Sequence, residues 1–413
     1  MENNSPFAKS NIHKRYRYNK IWTNVFFIST MFSVLVLIIL IFNILNNAFG
    51  YVALENEIQP GELAVQGTAL EDMNGPQLIQ VIKTHMSKGL VRRYDSEKPL
   101  SERSAKELLE IIYDRVVNSR VVESWSLEES LFKRSSIRAY QSEHPSSVIT
   151  FRAWIHPKFI VNAQASVPEK AGIRTALLGS IWMIVVTVLF AFPVGIGAAV
   201  YLEEYAVDNR LNRIIQTNIY NLAGIPSIIY GLLGLAIFVR ILEPITSGSI
   251  FGHIDPSTAN GRTILSGGLT LGLLILPIII INAQEALRAL PDSLRYSSYG
   301  LGATKWQTVW HHLLPGAIDR ILTGTILAVS RALGETAPLV VIGASTFITV
   351  DPDSLFSKFT TLPIQIYQWS ARPQGEFRNI AAAAILILLL LLLSMNTAAI
   401  LARNAYSNKK QVG

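Results

Sequence analysis

Long apolar runs without a charge constrain this chain more than any other feature. A helix crossing hydrocarbon has no water for its backbone, so it satisfies its own hydrogen bonds and needs about 20 mostly apolar residues. Five such runs occur, at 21–49, 175–202, 214–239, 263–284 and 380–401, and a sixth at 321–350 is equally apolar but holds Arg331 and Glu335. Half of the 413 residues are hydrophobic and only 16% are charged, against about a quarter in a soluble domain. The expected fold is mainly α, a polytopic membrane protein with six transmembrane helices. Its net charge of +7 would suit nucleic acid if the basic residues formed a stripe; they flank apolar runs instead, so the expected partner is membrane lipid and no nucleic acid. With no cysteine, a disulfide framework, a thiol nucleophile and thiolate metal sites are excluded.

The first run follows a basic stretch but is too long for a signal-peptide core, and Asn46-Asn47-Ala48-Phe49-Gly50 is a poor cleavage site; it reads as an uncleaved anchor. Placing the N-terminus inside, the six crossings return the C-terminus to the same side. Lys and Arg then number five in 1–20, two in 203–213, four in 285–320 and three in 402–413 on the inside, against two in 240–262 and three in 351–379 outside. That asymmetry supports both termini in the cytoplasm. The predicted organisation is a basic tail 1–20, a first helix 21–49, an extracytoplasmic domain 50–174, a core 175–401 of five further helices with a cytoplasmic loop 285–320, and a tail 402–413. Residues 50–174 carry sixteen basic and sixteen acidic residues. In them 77–90 and 105–117 have helical spacing and 148–155 alternates like a strand, an α+β pattern. His85, His144 and His156 there are expected as surface or turn residues, and the domain shows no metal cluster, phosphate loop or nucleophile.

Two features exceed membrane filling. In loop 285–320, Leu294, Leu301, Trp306, Val309 and Trp310 recur at roughly helical spacing, with Gly302 expected as a turn and Pro315 as a stop; this describes short amphipathic helices under the membrane. Inside the sixth run, Ser330-Arg331-Ala-Leu-Gly-Glu335-Thr-Ala-Pro-Leu339 puts two charges where each costs about 2.5–3.5 kcal/mol at mid-bilayer. As i and i+4 they neighbour on one helix face. They are either a self-neutralising structural pair or a substrate pathway, in which the planar guanidinium meets a tetrahedral oxyanion while the carboxylate holds or releases it.

The loop resembles the coupling-loop signature of ABC-importer permeases, Glu-Ala-Ala, three residues, Gly, nine residues, Ile, one residue, Leu-Pro. Here it falls on Tyr296-Ser297-Ser298, Gly302, His312, Leu314 and Pro315, with spacing kept and the glycine, leucine and proline matching. Together with Ala303 and Trp306 these residues are the expected ATPase coupling loop. With Arg331-x-x-Gly-Glu-Thr-Ala-Pro-Leu339, Leu362-Pro-Ile-Gln-Ile-Tyr-Gln-Trp369, Arg372-Pro-Gln-Gly-Glu-Phe377 and Gly172-Ile-Arg-Thr-Ala-Leu-Leu-Gly179, the chain resembles the permease subunit of the phosphate ABC importer. The resemblance runs from about Phe159 to the C-terminus and leaves 50–158 as an insertion.

The resemblance implies a type I importer permease in a bacterial inner membrane, paired with a homologous permease. It would rest on two cytoplasmic ATPase subunits and be fed by an extracytoplasmic phosphate-binding protein. It implies no catalysis and no cofactor in this chain, ATP being used by the partners. Pro193, Pro226, Pro277 and Pro338, near Gly195, Gly224 and Gly334, are candidate hinges for alternating access, although such residues are common in membrane helices anyway. A permease for sulfate, molybdate or phosphonate, a secondary transporter and an anchored sensor are the alternatives.

Overall fold

The computed structural model describes residues 9–65, 68–252 and 260–411. The ends of the expected tails, 1–8 and 412–413, and part of the expected outside loop, 253–259, lie outside the described residues. The chain divides into two compact units, 1–153 and 154–413.

The first unit opens with one helix, α1 (Lys9–Ala48), which carries the first apolar run and begins inside the expected basic tail. Its side chains are exposed along most of its length, as lipid-facing ones are. The chain turns directly into β1 (Phe49–Asn56), the centre of a three-stranded antiparallel sheet in the order β2-β1-β3. Between β1 and β2 (Ser119–Ser124) lie α2 (Gly75–His85), α3 (Lys88–Glu97) and α4 (Ala105–Ile112). The expected helix 77–90 is two helices, because Ser87 accepts from the Leu90 N–H and starts α3 anew. Reciprocal capping boxes, Asn74 with Gln77 and Ser104 with Glu107, start α2 and α4. Leu78, Ile82, Leu108 and Ile112 fill the core between them. After α5 (Leu127–Phe132) and α6 (Arg134–Glu143), β3 (Val148–Ala153) returns along β1, close to the alternation predicted for it.

The second unit runs through α7 (Pro157–Val161), α8 (Arg174–Val200), α9 (Arg210–Ala223), α10 (Ser227–Gly234), α11 (Glu243–Thr246) and α12 (Ile264–Arg288). It continues with α13 (Asp292–Gly300), α14 (Lys305–Thr308), α15 (Leu314–Gly334), α16 (Ala337–Ile342), α17 (Leu362–Ser370) and α18 (Gly375–Gln411). His156 caps α7 by accepting from the Phe159 N–H. Helix α12 is central, packed against both α8 and α15. Val186 and Phe190 of α8 stand over Gly268 and Gly272 of α12, where a methyl group would meet each side chain at 2.5 Å. In a membrane, where oil does not drive helices together, such close backbone approach supplies the association.

Among the described residues, five helical segments are long and apolar enough to cross a membrane, and a bent pair, if it is one span, brings the count to six. Two expected spans differ from straight helices. The run 214–239 is α9 and α10, bent by 110° where Gly224 ends one and Pro226 starts the other. Pro226 has no N–H to give the preceding turn and disfavours helix at residue 225. The run 321–350 stays in α15 only as far as Gly334, then breaks at Glu335 and Thr336 before the short α16, which begins with Pro338 in its first turn. By contrast α8 and α12 continue through Pro193 and Pro277.

Candidate functional site

One rod, running through α14 and α15, joins the two expected features. Lys305–Gly334 is a single helical segment, so about 40 Å separates Lys305 from Arg331 at 1.5 Å per residue. Pro315 does not stop it. A π-helical turn, Val309–Leu313, precedes the proline, and the wider turn relieves the clash of its ring with the carbonyl four residues back.

At one end, Arg331 lies in the last turn of α15 and Glu335 just beyond it, in extended backbone. They are therefore not neighbours on a helix face as expected, yet they still meet, Nε to Oε1 at 3.4 Å, with side chains 48% and 19% exposed. The preceding hydroxyl, Ser330, bonds Asn396 of α18 at 2.6 Å and fixes the rotation of this end of α15. The break itself is braced by α10, since a methyl on Gly231 would lie 2.7 Å from the Cα of Pro338. The pair thus stands at the end of a broken span, where polar backbone is tolerated if it lines protein or water.

At the other end, α13, the turn 301–303 and α14 form an elbow. Gly302 has φ of 82°, a left-handed conformation glycine adopts without cost. Thr304 and Gln307 cap α14 reciprocally. Ser298 and Thr308 join the two helices by a buried hydroxyl contact of 2.8 Å, and the Ala303 N–H donates to the Ser298 carbonyl. Tyr296, Ser297, Trp306 and His312 face outward, and Leu314 and Pro315 are half-buried. Trp306 stacks on Trp310 at 5.5 Å, both more than half exposed. Beside them a groove of about 730 Å³ runs between Pro193 and Ile196 of α8 and Leu314 and Ile318 of α15. The elbow residues come together; Arg331 and Glu335 stay apart from them, linked by the rod alone.

Two ion pairs that brace the elbow were not legible beforehand. Arg288 meets Glu203 at 2.8 Å, and Arg295 meets Glu204 at 2.8 Å with side chains 15% and 5% exposed. Arg295 also donates to the Leu287 and Leu290 carbonyls. The signal was two adjacent acids closing an otherwise apolar run, which need partners when they are not in water.

Residues 191–405 match the family described as binding-protein-dependent transport system inner membrane component. The chain is 32% identical over 229 residues to a probable ABC transporter permease protein, YqgI, of Bacillus subtilis, covering 53% of this chain and 72% of that one. It is 31% identical over 224 residues to the phosphate transport system permease protein PstA 1 of Mycobacterium tuberculosis, covering 54% of this chain and 66% of the relative. It is 32% identical over 205 residues to PstC of the phosphate transport system of Pasteurella multocida, covering 48% and 63%. The chain thus spans less than two thirds of each of these two phosphate-system relatives.

Proposed function

The chain belongs to the family of binding-protein-dependent transport system inner membrane components, and from that premise we propose that it is one permease half of an ATP-driven importer of inorganic phosphate. Two relatives named for phosphate transport support the substrate. The observation that carries the mechanism is the rod joining Arg331 to the elbow. A half-exposed guanidinium, loosely paired to a carboxylate, can exchange that partner for an oxyanion with little net desolvation cost, because one charge-assisted hydrogen bond replaces another. The elbow presents exposed aromatic rings to a cytoplasmic ATPase, whose closure would move α15 as one body and so shift the arginine between outward and inward exposure.

On this reading a homologous permease faces the exposed side of α15 and a binding protein delivers phosphate from outside. Both termini lie in the cytoplasm, and the segment 50–174, which carries most of the sheet, is extracytoplasmic. Purification of the chain from its native membrane with bound partners, followed by ATP-driven uptake of labelled phosphate in vesicles, tests the proposal. Recovery without an ATPase, or uptake of sulfate or molybdate in preference to phosphate, would overturn it.

A further inference from the structure

The exposed face of α15 holds a second arginine. Arg320, Thr323, Leu327 and Arg331 are all exposed while Ile321, Gly324, Ala328 and Ala332 between them are buried. Eleven residues are three turns, so Arg320 shares the stripe with Arg331 about 16 Å nearer the elbow. It borders a cavity of about 420 Å³ whose other walls include Asn282 and Glu285 of α12 and Thr323, Gly324 and Leu327 of α15. It is a cleft open to the exposed face of α15, with room for several waters or an oxyanion with part of its shell.

Three details make this a built site rather than a gap. Gly324 lets Asn282 lie across the α15 backbone: a methyl there would sit 2.6 Å from the Asn282 Cβ and 2.9 Å from its Nδ2. The side chains of Asn282, Glu285 and Arg320 make no hydrogen bond or ion pair among the described residues, although all three line one cavity. At the rim, Arg403 of α18 donates to the Thr323 hydroxyl at 2.7 Å, adding a second cation. Surface arginines at the inner ends of spans follow from charge asymmetry alone, and exposed donors such as Arg320 take water as a partner, but neither accounts for the glycine under Asn282.

We propose that Arg320 and Asn282 form an inner station for a tetrahedral oxyanion, the stop between Arg331 and the cytoplasm, and this rests on the transport reading above. The guanidinium and the amide supply donors suited to oxygen acceptors. Glu285 shares the cavity and competes for Arg320, so the anion is held weakly and leaves, as an importer requires at its inner mouth.

The chain has no cysteine, so Thr323→Cys places one reporter thiol at the cavity. The rate of its modification by a small anionic thiol reagent is read in inside-out vesicles carrying the whole assembly, with inorganic phosphate, sulfate or neither. We expect phosphate to slow modification several-fold, the effect to vanish with Arg320→Gln, and to persist with Arg331→Gln. Protection by sulfate and not phosphate would keep the station and remove the phosphate reading. Protection by neither anion while phosphate uptake proceeds would remove the station and keep that reading. Protection that survives Arg320→Gln but is lost with Arg331→Gln would assign the anion to Arg331 alone and overturn the inference.

Discussion

Glu204, in the π-helical turn Tyr201–Tyr205 that follows α8, is tied to Arg295 of α13 at 2.8 Å, and the carboxylate is only 5% exposed. This contact fastens the elbow to the end of a neighbouring span. Stranding one charge of a buried pair costs about 3–5 kcal/mol; Arg295 keeps a second, exposed carboxylate, Asp292, at 3.2 Å, so the loss of Glu204 costs less than that. Glu204→Gln should therefore lower the melting temperature of the detergent-solubilised chain by a few degrees, and Arg295→Lys should lower it as well, because a lysine cannot make the forked contact and also reach the Leu287 and Leu290 carbonyls. A melt unchanged in Glu204→Gln would show that the contact contributes nothing to stability.

Arg331→Gln should leave the assembly intact and abolish phosphate uptake. The side chain is half exposed and its ionic contact with Glu335 is long, so packing loses little, whereas the proposed pathway loses its charge. Loss of the partner subunits on purification of this mutant would assign the arginine a structural role instead.

Gly302 faces open space, with no atom within 4 Å of where a methyl group would lie, and has φ of 82°. A substitution there costs backbone strain alone, about 1–2 kcal/mol for an ordinary residue. Gly302→Asn should be nearly silent, since asparagine tolerates this conformation, while Gly302→Val should reduce the uptake obtained per ATP hydrolysed. Equal coupling ratios in the two mutants would speak against a strained elbow.

Gly231→Val should destabilise the break between α15 and α16. Its methyl groups would enter the backbone of Pro338, which cannot yield as a flexible side chain does, at about 1–3 kcal/mol. Thermal melting and uptake should fall together; a fall in uptake with an unchanged melt would contradict packing as the cause.

Glu129, outside the spans, has its carboxyl held below the ordinary value by the Lys133 ammonium first and then by the Ser126 N–H. A lowered folded value means the stabilisation is complete above the unfolded value and lost as pH falls through the folded one. The stability gap between the native chain and Glu129→Gln should be full near neutral pH and close on acidification below the ordinary carboxylate range. A gap independent of pH in melting measurements would contradict this.

Hydropathy is a local property, and it determined how many segments leave water: twenty consecutive apolar residues have one stable solvent wherever they lie in the fold. The turn at Gly302, the strand 148–153 and the pairing of Arg331 with Glu335 were legible for the same reason, each being written in a few adjacent residues. Only the tertiary structure decided that 214–239 bends by 110° at Pro226 while α8 and α12 continue through their prolines, that Pro315 lies within a rod, and that α15 ends at Gly334. It also chose Arg295 as the partner of Glu204, 91 residues away, and laid Asn282 across Gly324. A break or a buried ion pair is settled by what packs beside it, a sum over residues distant in the chain that no window along the sequence contains.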